Sequence, residues 1–209
     1  KNKINLKDKV ICDFGAGEGN LLLKFSKYLN LKKLIAVEPS SKNCELIKKK
    51  FHNNKKKIPT IINSTIEKYD KMTKKKCDVA ILTWTLCNCS EPLDVIKKIY
   101  NSLNKNGYLL IGESSRILVP FKKPIHNYFN IKKRTGMWHP WHFSFNGLVN
   151  LLKVNKFKVL YYNRYYNEDN IFLIVKKSSK KINKFEVDNY KHVVNFFQDW
   201  LKVSVKFKK

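Results

Sequence analysis

Arginine is nearly missing from this chain. Of 43 basic residues only Arg116, Arg134 and Arg164 are Arg, and the rest are Lys. Readers of phosphate and base edges favour the planar fork of Arg. The net charge of +27 is therefore read as solvated surface Lys rather than as a nucleic-acid footprint. Lys, Asn, Ile, Phe and Tyr are inflated together, as an AT-rich coding bias inflates them, and the runs Lys48–Lys50, Lys55–Lys57 and Lys74–Lys76 fall at helix ends and loops. Long apolar runs are absent as well. None approaches the roughly 20 residues of a membrane span, so no membrane-spanning segment is expected. No signal-peptide pattern precedes the first apolar run, because Lys1 to Lys9 is polar. The five cysteines, Cys12, Cys44, Cys77, Cys87 and Cys89, are odd in number and lack framework spacing. That argues against a disulfide scaffold and predicts reduced thiols in an intracellular setting, the cytoplasm, with an organelle reached by a cleaved leader as the alternative. Cys87-x-Cys89 has no second Cys or His pair at ligand spacing, so packed thiols are expected there and no metal.

Glycine is sparse, yet three of the seven glycines share one stretch, Val10-Ile11-Cys12-Asp13-Phe14-Gly15-Ala16-Gly17-Glu18-Gly19-Asn20. An apolar run enters this turn and a helical pattern leaves it. A second apolar run, Leu34 to Val37, then ends on Glu38. Glycine lets backbone pass close to a ligand, and an acid at the second strand's end accepts hydrogen bonds from ribose hydroxyls. Strand, Gly-rich turn, helix and acid-tipped strand form the nucleotide-binding half of a Rossmann-like sheet. The alternation continues along the chain. Strands are predicted at Lys9–Phe14, Lys33–Val37, Pro59–Ile62, Asp78–Thr83, Tyr108–Glu113, Lys156–Tyr162 and Ile171–Lys176. Helices are predicted at Asn20–Tyr28, Ser41–Phe51, Glu91–Leu103, Ser144–Val154 and Val187–Leu201, with Gly107 as a helix terminator. The fold class expected is an α/β, doubly wound sheet of seven strands, mostly parallel, with an antiparallel hairpin at one edge. Residues 1–177 make the main domain and 178–209 a helical extension.

One segment breaks the rhythm. Residues 114–143 show no clean period, hold three prolines and are rich in aromatics and His. Unstructured loops this long in a compact domain are usually functional or disordered, and the aromatic content argues against disorder. The segment is expected to form a lid over a substrate pocket.

Taken together these residues resemble the class I S-adenosylmethionine-dependent methyltransferases, over about residues 7–177. Asp13 to Gly19 is similar to that family's first motif, Ala36-Val37-Glu38-Pro39-Ser40 to its second, and Asp78 to Leu86 with Glu91-Pro92-Leu93 to its fourth strand and exit. Leu103 to Ile111 resembles its fifth-strand entry, with Asn106 where Gly is usual; Asn tolerates a left-handed turn. Phe143-Ser144 through Phe157 resembles its late helix-to-strand passage. The resemblance implies S-adenosylmethionine as cofactor. Asp13, Gly15, Gly17 and Gly19 would hold its amino-acid end, Glu38 its ribose, and Thr65 and Ile66 its adenine. Thr83 and Trp84 would close the site.

Methyl transfer needs a base only when the acceptor must lose a proton. His142, His139 and His126 are the catalytic candidates, with Glu113 and Tyr128 behind them, because imidazole titrates near neutrality. The same block, Trp138 to Phe143, is also read as an aromatic packing plug. The chain shows no Arg-rich face, and Thr83-Trp84-Thr85-Leu86 replaces the Asn-Pro-Pro-Tyr type of tetrad carried by base-directed enzymes. A small-molecule acceptor is therefore expected, a sugar or surface-glycan precursor. The alternative is an RNA-directed methyltransferase, or a non-catalytic RNA-bound relative of the fold.

Overall fold

The structure is a computed structural model and describes residues 4–72, 76–114, 139–163, 170–180 and 184–205. Seven strands form one sheet: β1 (Val10–Phe14), β2 (Lys33–Val37), β3 (Thr60–Ile62), β4 (Cys77–Thr83), β5 (Leu103–Ser114), β6 (Phe157–Tyr162) and β7 (Asn170–Lys177). Their order across the sheet is β3-β2-β1-β4-β5-β7-β6. The first five pair in parallel. β7 runs antiparallel between β5 and β6. This is the expected sheet, with its antiparallel hairpin at one edge.

The central strands carry the apolar runs because both of their faces are covered. On one face Cys12, Phe14, Val37, Ala80 and Leu82 join one core cluster. On the other, Ile11, Ala36, Val79 and Ile81 join a second with Leu22 and Leu23 of α1 (Asn20–Tyr28) and Ile47 and Phe51 of α2 (Ser41–Asn53). Helix α4 (Pro92–Ser102) packs Val95, Ile96 and Ile99 into the first cluster. Spacing of one, three and four residues puts them on a single stripe, and each such buried side chain contributes about 1.5–3 kcal/mol. Pro92 opens α4, where a missing N–H costs little. Helix α5 (Phe145–Val154) adds Leu148 and Leu152 to the same cluster, and the Ser144 hydroxyl caps it by accepting from the Gly147 N–H at 2.9 Å.

Two local elements were not foreseen. A short helix α3 (Ile66–Met72) follows β3, and a 3-10 turn, Leu86–Asn88, follows β4. One expectation is corrected. Gly107 does not end a helix: α4 stops at Ser102 and Leu103 is already extended. The Ser102 hydroxyl turns back onto the Ile99 carbonyl, and Leu103 pairs at once with Cys77 of β4. Asn106, at φ 65°, adopts the left-handed turn anticipated for it. Gly107 is required by crowding, since a Cβ there would meet the Asn104 and Asp78 carbonyls at 3.0 and 3.1 Å.

Beyond β7, the final helix α6 (Tyr190–Val205) is reached through a segment laid along α5. Asp188 accepts from Ser144 Oγ and Asn146 Nδ2, Glu186 exchanges two bonds with Asn150, and the Lys184 carbonyl accepts from Lys153 Nζ. No helix among the described residues is long and apolar enough to cross a membrane.

Candidate active site

The strand order reverses beside β1: its exit leads to β2 on one side, while β4 lies on the other. Open α/β sheets bind ligands at the carboxyl ends of strands at such a switch point. The candidate residues at the ends of β1, β2 and β4 are brought together there.

The turn after β1 is held by two N–H donors. Gly15 and Ala16 both donate to the Val37 carbonyl, at 2.8 and 3.1 Å. Gly15, Gly17 and Gly19 all have positive φ, at 82°, 52° and 74°, which only glycine adopts at little cost. Their surroundings differ. A Cβ on Gly15 would lie 2.6 Å from Thr85 Cγ2, and one on Gly19 would lie 2.9 Å from Ile47 of α2. A Cβ on Gly17 would meet nothing within 4 Å. The outer two glycines are required by packing, and the middle one faces open space.

Glu38 ends β2 and is 5% exposed. Its Oε2 accepts from the Gly17 N–H at 2.8 Å, and its Oε1 accepts from the Ser40 N–H at 3.0 Å and Asn43 Nδ2 at 3.2 Å. The carboxylate thus ties the Gly turn to the start of α2. Three bonds leave one of a carboxylate's roughly four acceptor positions for a ligand. Asp13, the penultimate residue of β1, is 2% exposed, and its Oδ1 is buried without a hydrogen-bond partner. Burial, then repulsion from Glu38, pushes the Asp13 carboxyl up to about 7. A buried orphan carboxylate beside an open glycine flank suits a cationic, amino-acid-like ligand group. Residues of this kind fit the cofactor that the sequence motifs imply.

The other candidates are placed as follows. Thr65 is half-buried ahead of α3, and Ile66 is buried in the core with Phe14, Val37 and Tyr69. Thr83 ends β4 and its carbonyl accepts from Thr85 Oγ1. Trp84 sits at φ 49° and is 50% exposed; its ring packs against Phe172 and its Nε1 donates to Asn170 Oδ1, so it faces β7. Thr85, rather than Trp84, lies against the Gly turn. The sequence does not single out Thr85, because only the parallel pairing of β4 beside β1 creates the contact.

Glu113, near the end of β5, is fully buried and holds the same β4 exit from beneath. Its Oε1 accepts from the Thr85 N–H at 3.1 Å and the Leu86 N–H at 2.8 Å, while its Oε2 has no partner. Burial pushes this carboxyl up. In this geometry it holds the turn at 84–88 through those two N–H groups.

Above that turn lies the end of the aromatic segment. His139 Nδ1 stands 2.7 Å from Asn88 Oδ1 and 3.5 Å from Cys87 Sγ. The Trp141 N–H donates to the Cys87 carbonyl at 3.3 Å, and the His139 and His142 rings meet edge to face at 6.3 Å. Cys87 and Cys89 are packed thiols; burial raises both, Cys89 to about 12. Of the His candidates, His139 and His142 are thus placed at the β4 exit. His126, with Arg116, Arg134, Tyr128 and Trp138, lies outside the described residues.

Comparison with known proteins agrees with this geometry. A family model described as a methyltransferase domain matches residues 12–111. The chain is 25% identical over 152 residues to the ubiquinone/menaquinone biosynthesis C-methyltransferase UbiE of Wigglesworthia glossinidia brevipalpis, covering 71% of this chain. It is 30% identical over 140 residues to the carboxy-S-adenosyl-L-methionine synthase of Nautilia profundicola, covering 65% of this chain. The chain spans 61% and 58% of the lengths of these two relatives. Among solved structures, an S-adenosylmethionine-dependent methyltransferase from Clostridium acetobutylicum superposes with a TM-score of 0.64 at 15% identity, over 84% of this chain and 86% of that one. At that identity the likeness is one of fold.

Proposed function

We propose, on the match of residues 12–111 to a methyltransferase-domain family model, that the chain is an S-adenosylmethionine-dependent methyltransferase acting on a small molecule, a sugar or surface-glycan precursor. One observation carries the reading: the orphaned Asp13 carboxylate, the open flank of Gly17 and the Glu38 carboxylate lie together at a single turn. Asp13 and residues 15–19 hold the cofactor's amino-acid end, and Glu38 takes its ribose hydroxyls. Thr65 and Ile66 border the adenine, and Thr83 and Trp84 border the site at the β4 end. The bound cofactor supplies a methyl group on a good leaving group, which leaves the protein to position the acceptor and exclude water. His139 accepts the acceptor's proton, and His142 beside it borders the acceptor side. His126 stands as a third candidate in the aromatic segment.

A small-molecule acceptor is supported by both curated relatives, whose names describe quinone-biosynthesis C-methylation and synthesis of a carboxylated S-adenosylmethionine. The His and aromatic content of residues 138–143, with Arg116 and Arg134 upstream, favours a polar ring such as a sugar. The second reading, an RNA-directed or RNA-bound relative, is favoured only by the net charge of +27. The test is mass spectrometry of a metabolite extract incubated with the chain and methyl-labelled cofactor. A labelled sugar derivative is expected. Label found only in RNA would promote the second reading, and label found nowhere, despite cofactor binding in calorimetry, would remove the catalytic one.

A further inference from the structure

We propose that Asn88 is a positioning residue that sets the tautomer of His139 and so leaves Nε2 as the proton-accepting nitrogen. The inference rests on the reading of His139 as the base, and its test separates the two. The argument begins with the Asn88 amide. Its Nδ2 donates to the Trp84 carbonyl at 3.2 Å. A carbonyl can only accept, so the amide's orientation is settled and Oδ1 is the atom that faces His139. At 2.7 Å from His139 Nδ1, Oδ1 can itself only accept. Nδ1 must therefore carry the hydrogen, and in the neutral ring the lone pair falls on Nε2.

The surroundings agree with this assignment. Cys87 Sγ lies 3.5 Å from the same Nδ1. Burial, followed by the Glu113 carboxylate, keeps that thiol protonated, so no thiolate competes for the Nδ1 hydrogen. Among the described residues, His142 is a second titratable ring at hand, at 6.3 Å between centroids. The Trp141 N–H on the Cys87 carbonyl pins the His segment to the turn at a second point. The turn is short, and from Thr85, which abuts Gly15, to Asn88 the rise is roughly 6 Å at about 2 Å per residue. One rigid stretch thus couples the cofactor turn to the base. His139 would take up at Nε2 the proton that the acceptor loses and end as the imidazolium, while a bound sulfonium cofactor would supply the methyl group and keep the electrons of the bond it gives up.

The experiment is 15N NMR of the histidine-labelled full chain, with S-adenosylhomocysteine as the added probe. His139 should show a protonated Nδ1 and an unprotonated Nε2, with and without the probe. Asn88→Ala should abolish that preference. Asn88→Asp, whose carboxylate accepts the same hydrogen, should retain it. In the labelled-extract assay Asn88→Ala should lose at least about tenfold in methyl incorporation, with unchanged S-adenosylhomocysteine affinity, and Asn88→Asp should keep most of it. A tautomer unchanged in Asn88→Ala overturns the proposal, even if that variant also melts early, because Asn88→Asp serves as the folded comparison. A tautomer that responds as expected while His139→Ala incorporates label normally leaves the Asn88 assignment standing and removes His139 as the base.

Discussion

Burial gives Asp13 a distinctive pH behaviour. Its carboxyl titrates near 7 in the folded chain against an ordinary 3.8. Between those values the folded chain holds the proton more tightly than the unfolded chain. The associated stability is therefore full below about pH 4 and is lost as pH rises through about 7, a loss on the order of 4 kcal/mol. Asp13→Asn should melt well above the wild type at pH 8, with the difference shrinking toward pH 5; parallel pH profiles would refute this. A cation beside Asp13 favours the ionised form, so cofactor binding should release up to about one proton at pH 6. Calorimetry in buffers of different ionisation heat measures it. Glu38 is an acceptor already in use. Glu38→Ala strands the Gly17 and Ser40 N–H groups and Asn43 Nδ2. It should cost about 1–3 kcal/mol of stability as well as cofactor affinity, readable by melting without ligand and by calorimetry with it.

At the scale of the element, the Gly turn separates packing from binding. Any side chain at a positive φ costs about 1–2 kcal/mol, so Gly17→Ala should lose about that much and then bind cofactor poorly. Gly15→Ala also drives a methyl group into Thr85. It should melt lower than Gly17→Ala, and adding Thr85→Ala should recover part of the loss. Equal melting of the two single variants would show that Thr85 does not constrain the turn. Helix α3 illustrates the limit of local pattern. It is seven residues long, and among its described side chains Ile66 and Tyr69 join the core. A period cannot be recognised over so short a window, so the helix exists because the sheet offers those two side chains a core.

For the whole molecule, the Lys excess should behave as diffuse charge. Filter binding to RNA should be weak and fall steeply with salt, vanishing near physiological ionic strength; tight binding surviving there would favour the RNA reading. The segment 184–188 ahead of α6 is fastened to α5 and its cap by local polar bonds, with Ser144 serving both as the α5 cap and as a donor to Asp188. Asp188→Ala should therefore lower stability by about 1 kcal/mol and leave cofactor affinity unchanged, which melting and calorimetry together would check. A parallel loss of affinity would mean that the extension reaches the cofactor turn.

The seven strands, the Gly turn and the acid at the end of β2 could be read from the chain alone. Each is written in contiguous residues: an apolar run long enough to be buried on both faces, glycines at alternate positions, a carboxylate at a strand end. Gly107 reads as a helix terminator in the sequence, but what crowds out a Cβ there is the Asn104 carbonyl within β5 at 3.0 Å and the Asp78 carbonyl of β4 at 3.1 Å, not a neighbour in α4. Tertiary structure alone decided that Thr85 meets Gly15, that Glu113 accepts from the Thr85 and Leu86 N–H groups at the β4 exit, and that Asn88 meets His139. These are contacts between segments 27 to 70 positions apart, as between Leu86 and Glu113 or between Gly15 and Thr85. No local periodicity encodes them; they follow from the order in which parallel strands lie side by side, which sets the neighbours at the carboxyl edge of the sheet.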